Sequence, residues 1–143
     1  QGAVIMKVAV IGSRNLTVEN LGKYLPEETT EIVSGGAKGV DTCAREYALA
    51  NGFKLTEFLP DYQKYGRGAP LKRNLQIIDY ADCVLAFWDG QSRGTKFVIE
   101  HCKALNKPVH VFLKRKSGFE RINAWDSQIA NSKGQLKIEQ LLG

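Results

Sequence analysis

The sequence predicts an α/β fold: a three-layer sandwich whose central sheet has five strands, mostly parallel, in the order 3-2-1-4-5. Three observations predict it. Short apolar runs and helix-like stretches alternate five times between residues 6 and 113, the pattern of parallel strands joined by right-handed helical crossovers. Two glycine-rich stretches, at 34–41 and 89–95, each leave a strand-like run and open a helix-like one. A chain of 143 residues, 43% hydrophobic and 24% charged, suffices for a core without disulfide staples. The expected organisation is one domain over 1–143, with a core at 6–113 and an extension at 114–143.

The elements follow in order. Residues 6–11 form a short apolar run of the kind found in buried parallel strands, broken by Gly12-Ser13-Arg14-Asn15. Thr17 caps a predicted helix over 18–25, which Pro26 ends. A second strand at 31–34 leads into the first glycine stretch. The helix expected at 40–51 repeats Val40, Cys43, Ala44, Tyr47 and Ala48 on one face and stops at Gly52. A third strand is read at 54–59. Gly66, Gly68 and Pro70 make 61–70 a long surface loop, followed by a helix at 71–80 with Leu71, Leu75 and Ile78 turned inward. The most apolar strand, 82–88, runs into the second glycine stretch. A helix at 97–105 stops at Asn106 and Pro108, and 109–113 is the fifth strand. Beyond it the pattern fades: 117–133 is polar and mixed, and 135–142 reads as a short amphipathic helix.

Composition narrows the chemistry. No apolar run approaches the roughly 20 residues of a membrane helix, and residues 1–5 lack the basic start of a secretory signal, so a cytoplasmic, membrane-free protein is expected. Met6-Lys7 reads as a natural start, which makes residues 1–5 an extension. Cys43, Cys83 and Cys102 form no CxxC pair and fall inside elements, where cysteine packs as a small hydrophobe. With two histidines, His101 and His110, and no clustered ligands, neither a metal nor a cofactor is expected. The net charge of +5 is spread out, with Lys114-Arg115-Lys116 as its one compact run, read as a solvated strand exit.

In an open parallel sheet, ligands bind beyond the carboxyl ends of the strands, where the strand order reverses. Three candidate loops converge there: Gly12-Ser13-Arg14, Ser34-Gly35-Gly36-Ala37-Lys38-Gly39-Val40-Asp41, and Asp89-Gly90-Gln91-Ser92-Arg93-Gly94-Thr95. A glycine turn into a helix offers unpaired N–H groups and the positive end of the helix dipole, which suits phosphate. Gly35 and Gly36 let backbone amides approach an anion, and Gly39 permits close helix packing. Lys38 suits phosphate, and Asp41 suits either a ribose hydroxyl or its own helix cap. Ser92, Arg93, Gly94 and Thr95 supply hydroxyls, amides and a bidentate cation. Arg73 and Asn74, after the 61–70 loop, are placed to reach over the crevice. Tyr62, Tyr65 and Trp88 offer either stacking surfaces for a base or packing.

Taken together, these loops, Arg73-Asn74 and the run from Trp88 to Thr95 resemble the motifs of the SLOG superfamily, above all its YpsA-related group of bacterial and phage proteins, over 6–113. Relatives include the LOG phosphoribohydrolases, the DNA-processing DprA proteins and molybdenum-cofactor carrier-like proteins. The resemblance implies a Rossmann-like fold that binds nucleotides or their derivatives. In LOG enzymes a PGGxGTxxE motif places a catalytic glutamate three residues after the threonine, and an arginine in the preceding helix corresponds to Arg73. Gly94-Thr95 matches that motif, but Val98 stands in the glutamate position. Glu100 lies two residues further on, roughly 200° around a helix, and Asp89 at the strand end is the other available carboxylate.

The expected function is therefore binding of a nucleotide or nucleotide-derived small molecule. The alternative is LOG-like hydrolysis of the N-glycosidic bond of a nucleoside monophosphate, with Asp89, Glu100 and Arg73 as the catalytic candidates. A second alternative is a DNA-binding module related to DprA. Nucleic acid is the less favoured partner, because the chain has no helix-turn-helix and no concentrated basic stripe. LOG-type relatives complete their sites across a dimer interface. Trp125, Ile129, Leu136, Ile138, Leu141 and Leu142 offer apolar surface for a homodimer or for folding back on the sheet edge.

Overall fold

The computed structural model describes residues 4–122. Its strands are β1 (Lys7–Gly12), β2 (Glu31–Ser34), β3 (Lys54–Glu57), β4 (Cys83–Trp88), β5 (Val109–Arg115) and β6 (Gly118–Ile122); its helices are α1 (Val40–Ala50), α2 (Tyr62–Tyr65), α3 (Ala69–Tyr80) and α4 (Arg93–Ala104). They build a Rossmann-like sheet in the order β3-β2-β1-β4-β5-β6, parallel except for β6. Six strands replace the five expected. The added strand turns back from β5 and pairs Arg115 with Gly118 and Val111 with Ile122. It is an edge strand of mixed polarity, Gly-Phe-Glu-Arg-Ile, so it lacks the apolar run that betrays a strand buried on both faces.

The pleat sorts the core into two layers. On one face Ala9, Ile11, Val84, Ala86 and Trp88 pack against Ile77 and Ile78 of α3 and Val98, Ile99 and Cys102 of α4. On the other, Val8, Val10, Leu85, Phe87 and Phe112 meet Leu16, Val18 and Leu21 with Val40, Ala44 and Ala48 of α1. Tyr24 stands edge-on to Phe87, Phe112 and Phe119. Cys83 and Cys102 are buried, and burial pushes the Cys102 thiol up to about 12.

Local expectations are corrected at three places. The helix predicted at 18–25 is a single 3-10 turn, Leu21–Lys23, because Asn20 takes a left-handed conformation (φ 55°) that interrupts α geometry. The stretch 61–70 is largely helical rather than loop: α2 and a 3-10 turn at Gly66–Gly68 lead into α3. Pro70 there opens a helix, a position where its missing N–H costs nothing. As a result Leu71 is exposed, and the buried face of α3 carries Ala69, Arg73, Ile77 and Ile78. Helix α4 begins at Arg93, four residues before its predicted start. The apolar tail residues between Trp125 and Leu142 lie outside the described residues.

Candidate functional site

β1 pairs with β2 on one side and β4 on the other, so the strand order reverses between β1 and β4. At their carboxyl ends opens a cleft of about 420 Å³, within the range of small-molecule sites. Of the predicted residues, Gly12, Ser13, Arg14, Asp41, Arg73, Asn74, Ser92, Gly94 and Thr95 line it. Close backbone approach explains Gly12: a Cβ there would lie 2.5 Å from the Phe87 carbonyl oxygen. Ser13 ties two loops together. Its Oγ accepts from the Asp89 N–H at 3.2 Å and lies 2.6 Å from the Ser92 hydroxyl.

Arg73 is the cleft's buried cation, with 7% of its surface exposed. Its Nη1 donates to the carbonyl oxygens of Gly35 and, at 3.4 Å, Phe58; its Nε donates to Asn74 Oδ1 at 2.8 Å. A side chain at Gly35 would collide with the guanidinium, which explains that glycine. Among the described residues no carboxylate comes within 4.0 Å of Arg73. Burial lowers its pKa, with Asp41 opposing the shift from farther away. The result is a fixed positive charge held by neutral carbonyls.

Asp41, in the first turn of α1, is 6% exposed. Its Oδ2 accepts the Ala37 N–H at 3.0 Å, while Oδ1 is screened from water and has no hydrogen-bond partner among the described residues. Burial raises its pKa, and the charge of Glu57 adds to the rise against the opposing Ala37 N–H, Arg73 and Arg14. Glu57 Oε2 is likewise buried and unpartnered. Sequence reading missed Glu57; it reaches this corner because β2 and β3 pair Ser34 with Glu57.

Across the cleft, Gly94 and Thr95 stand in the first turn of α4, where backbone N–H groups have no intrahelical partner. Gly94 has open space where a side chain would be. Thr95 is buried, and Val98, one turn on, also lines the cleft.

The remaining predicted residues lie elsewhere. The Asp89 carboxylate closes its own turn, accepting from Gln91 N and Ser92 N at 2.8 Å each and lying 2.9 Å from the Ser92 hydroxyl. Burial alone would raise its pKa, but these donors outweigh burial and lower it. Neither Asp89, Glu100 nor Arg93 lines the cleft. Gly36 and Lys38 are exposed outside it, and Gly39 packs against the backbone of Ser13 and Arg14. Trp88 is core, its indole N–H donating to the Ser92 carbonyl at 3.1 Å. Among the described residues no group of three potential metal ligands gathers, and no helix is long and apolar enough to cross a membrane.

Residues 6–65, from β1 to α2, match the family model YAcAr: YspA, cpYpsA-related SLOG family. That stretch is SLOG-like. It holds the Gly12-Ser13-Arg14 loop and the first glycine turn, so the resemblance read from those motifs is borne out there. A solved structure of DNA processing protein A from Helicobacter pylori, from a study of its single-stranded DNA binding mode, superposes with a TM-score of 0.60 at 24% identity. The match covers 96% of this chain and 78% of that one, and it supports the Rossmann-like fold. No curated protein sequence matches.

Proposed function

We propose that this protein binds a nucleotide or nucleotide-derived small molecule, with its phosphate in the cleft between Arg73 and the first turn of α4. The observation that carries the reading is Arg73: a buried guanidinium without a carboxylate partner is costly, and a bound anion removes that cost. The amides of Gly94 and Thr95 supply donors of matching polarity opposite it. A hydrolytic role has weaker support. The LOG glutamate position is apolar Val98, and Asp89 is committed to its own loop.

A second reading is a single-stranded nucleic acid, as the DNA processing protein binds. One observation favours it. A neighbouring cavity of about 230 Å³ shares Arg73 with the cleft and carries Lys64 and Lys72 beside Tyr65, their Nζ atoms 5.3 and 5.5 Å from the ring centroid. A following phosphate and base would find cations and an aromatic face there.

Mass spectrometry of small molecules released on denaturing the purified protein tests the first reading. It predicts a phosphate-bearing nucleoside derivative at near-stoichiometric yield from wild type and its loss from Arg73→Met. Release without any phosphate compound, together with no thermal shift on adding nucleoside monophosphates, would refute it.

A further inference from the structure

The Asp41 carboxylate is half-used. One oxygen is bound by the Ala37 N–H, and the other is buried with no partner at the wall of the cleft. Buried polar atoms are almost always paired, and a lone carboxylate oxygen on a residue that lines a cleft calls for a donor from outside the described chain. The surroundings say which kind. Arg73 is already committed to the Gly35 and Phe58 carbonyls, and Glu57 brings a second unpartnered oxygen rather than a donor. A further anion is disfavoured beside two carboxylates. Arg73 and Arg14 already bring two positive charges to Asp41, which disfavours a further cation as well; a neutral donor is what remains, and in a phosphate-bearing ligand the neutral donors closest to the phosphate are sugar hydroxyls.

We infer that Asp41 is a specificity-determining residue that accepts a hydrogen bond from a ribose hydroxyl, so that the ligand is a ribonucleotide rather than a deoxyribonucleotide. The inference rests on the nucleotide reading above. The wall formed by Ala37 and Asp41 then receives the sugar, while Arg73, Gly94 and Thr95 face the phosphate. A hydrogen bond to a carboxylate is worth enough to separate the two sugars by about tenfold or more.

Titration calorimetry with the four common ribonucleoside 5′-monophosphates and their 2′-deoxy and 3′-deoxy counterparts tests it. Wild type is expected to bind at least one ribonucleotide about tenfold tighter than one of its deoxy forms. Asp41→Asn should reduce the ratio to a few-fold and Asp41→Ala should bring it close to one, with deoxynucleotide affinity retained. Equal affinity of wild type for the ribo and both deoxy forms overturns the inference and leaves the nucleotide reading standing. Failure of every monophosphate to bind overturns the nucleotide reading itself, and the inference with it. The wild-type ratio decides even if a variant proves too unstable to measure.

Discussion

The two ends of the sheet bury carboxylates in opposite ways. At the amino end Glu31, 4% exposed, has both oxygens occupied: Oε2 accepts from Thr56 and Tyr80 at 2.6 Å each, and Oε1 lies 3.7 Å from Lys54 Nζ. Lys7 sits over the Tyr80 ring at 4.2 Å, adding a second positive charge. At the carboxyl end, among the described residues, Asp41 and Glu57 each keep a buried oxygen without a partner, and Arg73 is buried without an ion pair. The first arrangement is complete within the chain and fastens β1, β2, β3 and α3 to one another. On the proposed reading, the second is completed by the ligand. Incomplete polar groups in an otherwise well-satisfied structure mark where stability has been given up for function.

The contrast makes predictions of opposite sign. Replacing Glu31 with alanine strands the Thr56 and Tyr80 hydroxyls and should destabilise the protein by about 3 kcal/mol in urea titrations. Nucleotide affinity should not change. Asp41→Asn keeps an acceptor for the Ala37 N–H and removes a buried, half-satisfied charge, so it should stabilise the ligand-free protein at neutral pH by about 1 kcal/mol. If both substitutions destabilise equally, the two ends do not differ as described.

A smaller effect separates the ends by pH. For Glu31, burial raises the pKa, but Thr56, Tyr80, Lys54 and Lys7 outweigh it and lower the value overall. Its contribution is fully present above the unfolded-state pKa and is lost as pH falls through the lowered folded value. For Asp41 the folded pKa is raised, mainly by burial and then by Glu57. The native state then holds its proton more tightly, and stability declines as pH rises from the ordinary aspartate range through the raised value. Stability curves of Asp41→Asn and wild type should therefore converge toward acid pH and separate above it. The Glu31→Ala difference should instead shrink only at the lowest pH.

Much of this was legible in the sequence, for identifiable reasons. β1 and β4 lie in the interior of a parallel sheet, and such strands show as apolar runs. Gly12, Asp41, Arg73 and Gly94 stood out because each belongs to a short motif beside a break. What could not be read depends on tertiary pairing. Glu57 lies on a polar-looking strand and reaches the Gly35-Gly36 corner only through its register with Ser34. Asn20 broke a helix that the surrounding pattern favoured, and edge strand β6 carried no apolar signature. Nor did the sequence separate the glycines. Gly36 has φ 70° and a side chain there would strike Leu59, so substitution disturbs the fold; at Gly94 a side chain meets only the open cleft.

That last difference allows the most direct test of the central claim, that the cleft at the carboxyl end takes a phosphate-bearing ligand against the first turn of α4. Gly94→Val should leave the thermal midpoint unchanged within a few degrees, because a Cβ there meets nothing within 4 Å beyond its own helix and chain neighbours. The same carbons would occupy the space where a phosphate approaches the Gly94 and Thr95 amides. Calorimetric titration of wild type and Gly94→Val with the wild-type ligand is the measurement. The predicted result is a loss of affinity of about a hundredfold or more in a fully folded variant, the scale set by losing charge-assisted hydrogen bonds. A folded Gly94→Val protein that binds the ligand as tightly as wild type would contradict the account.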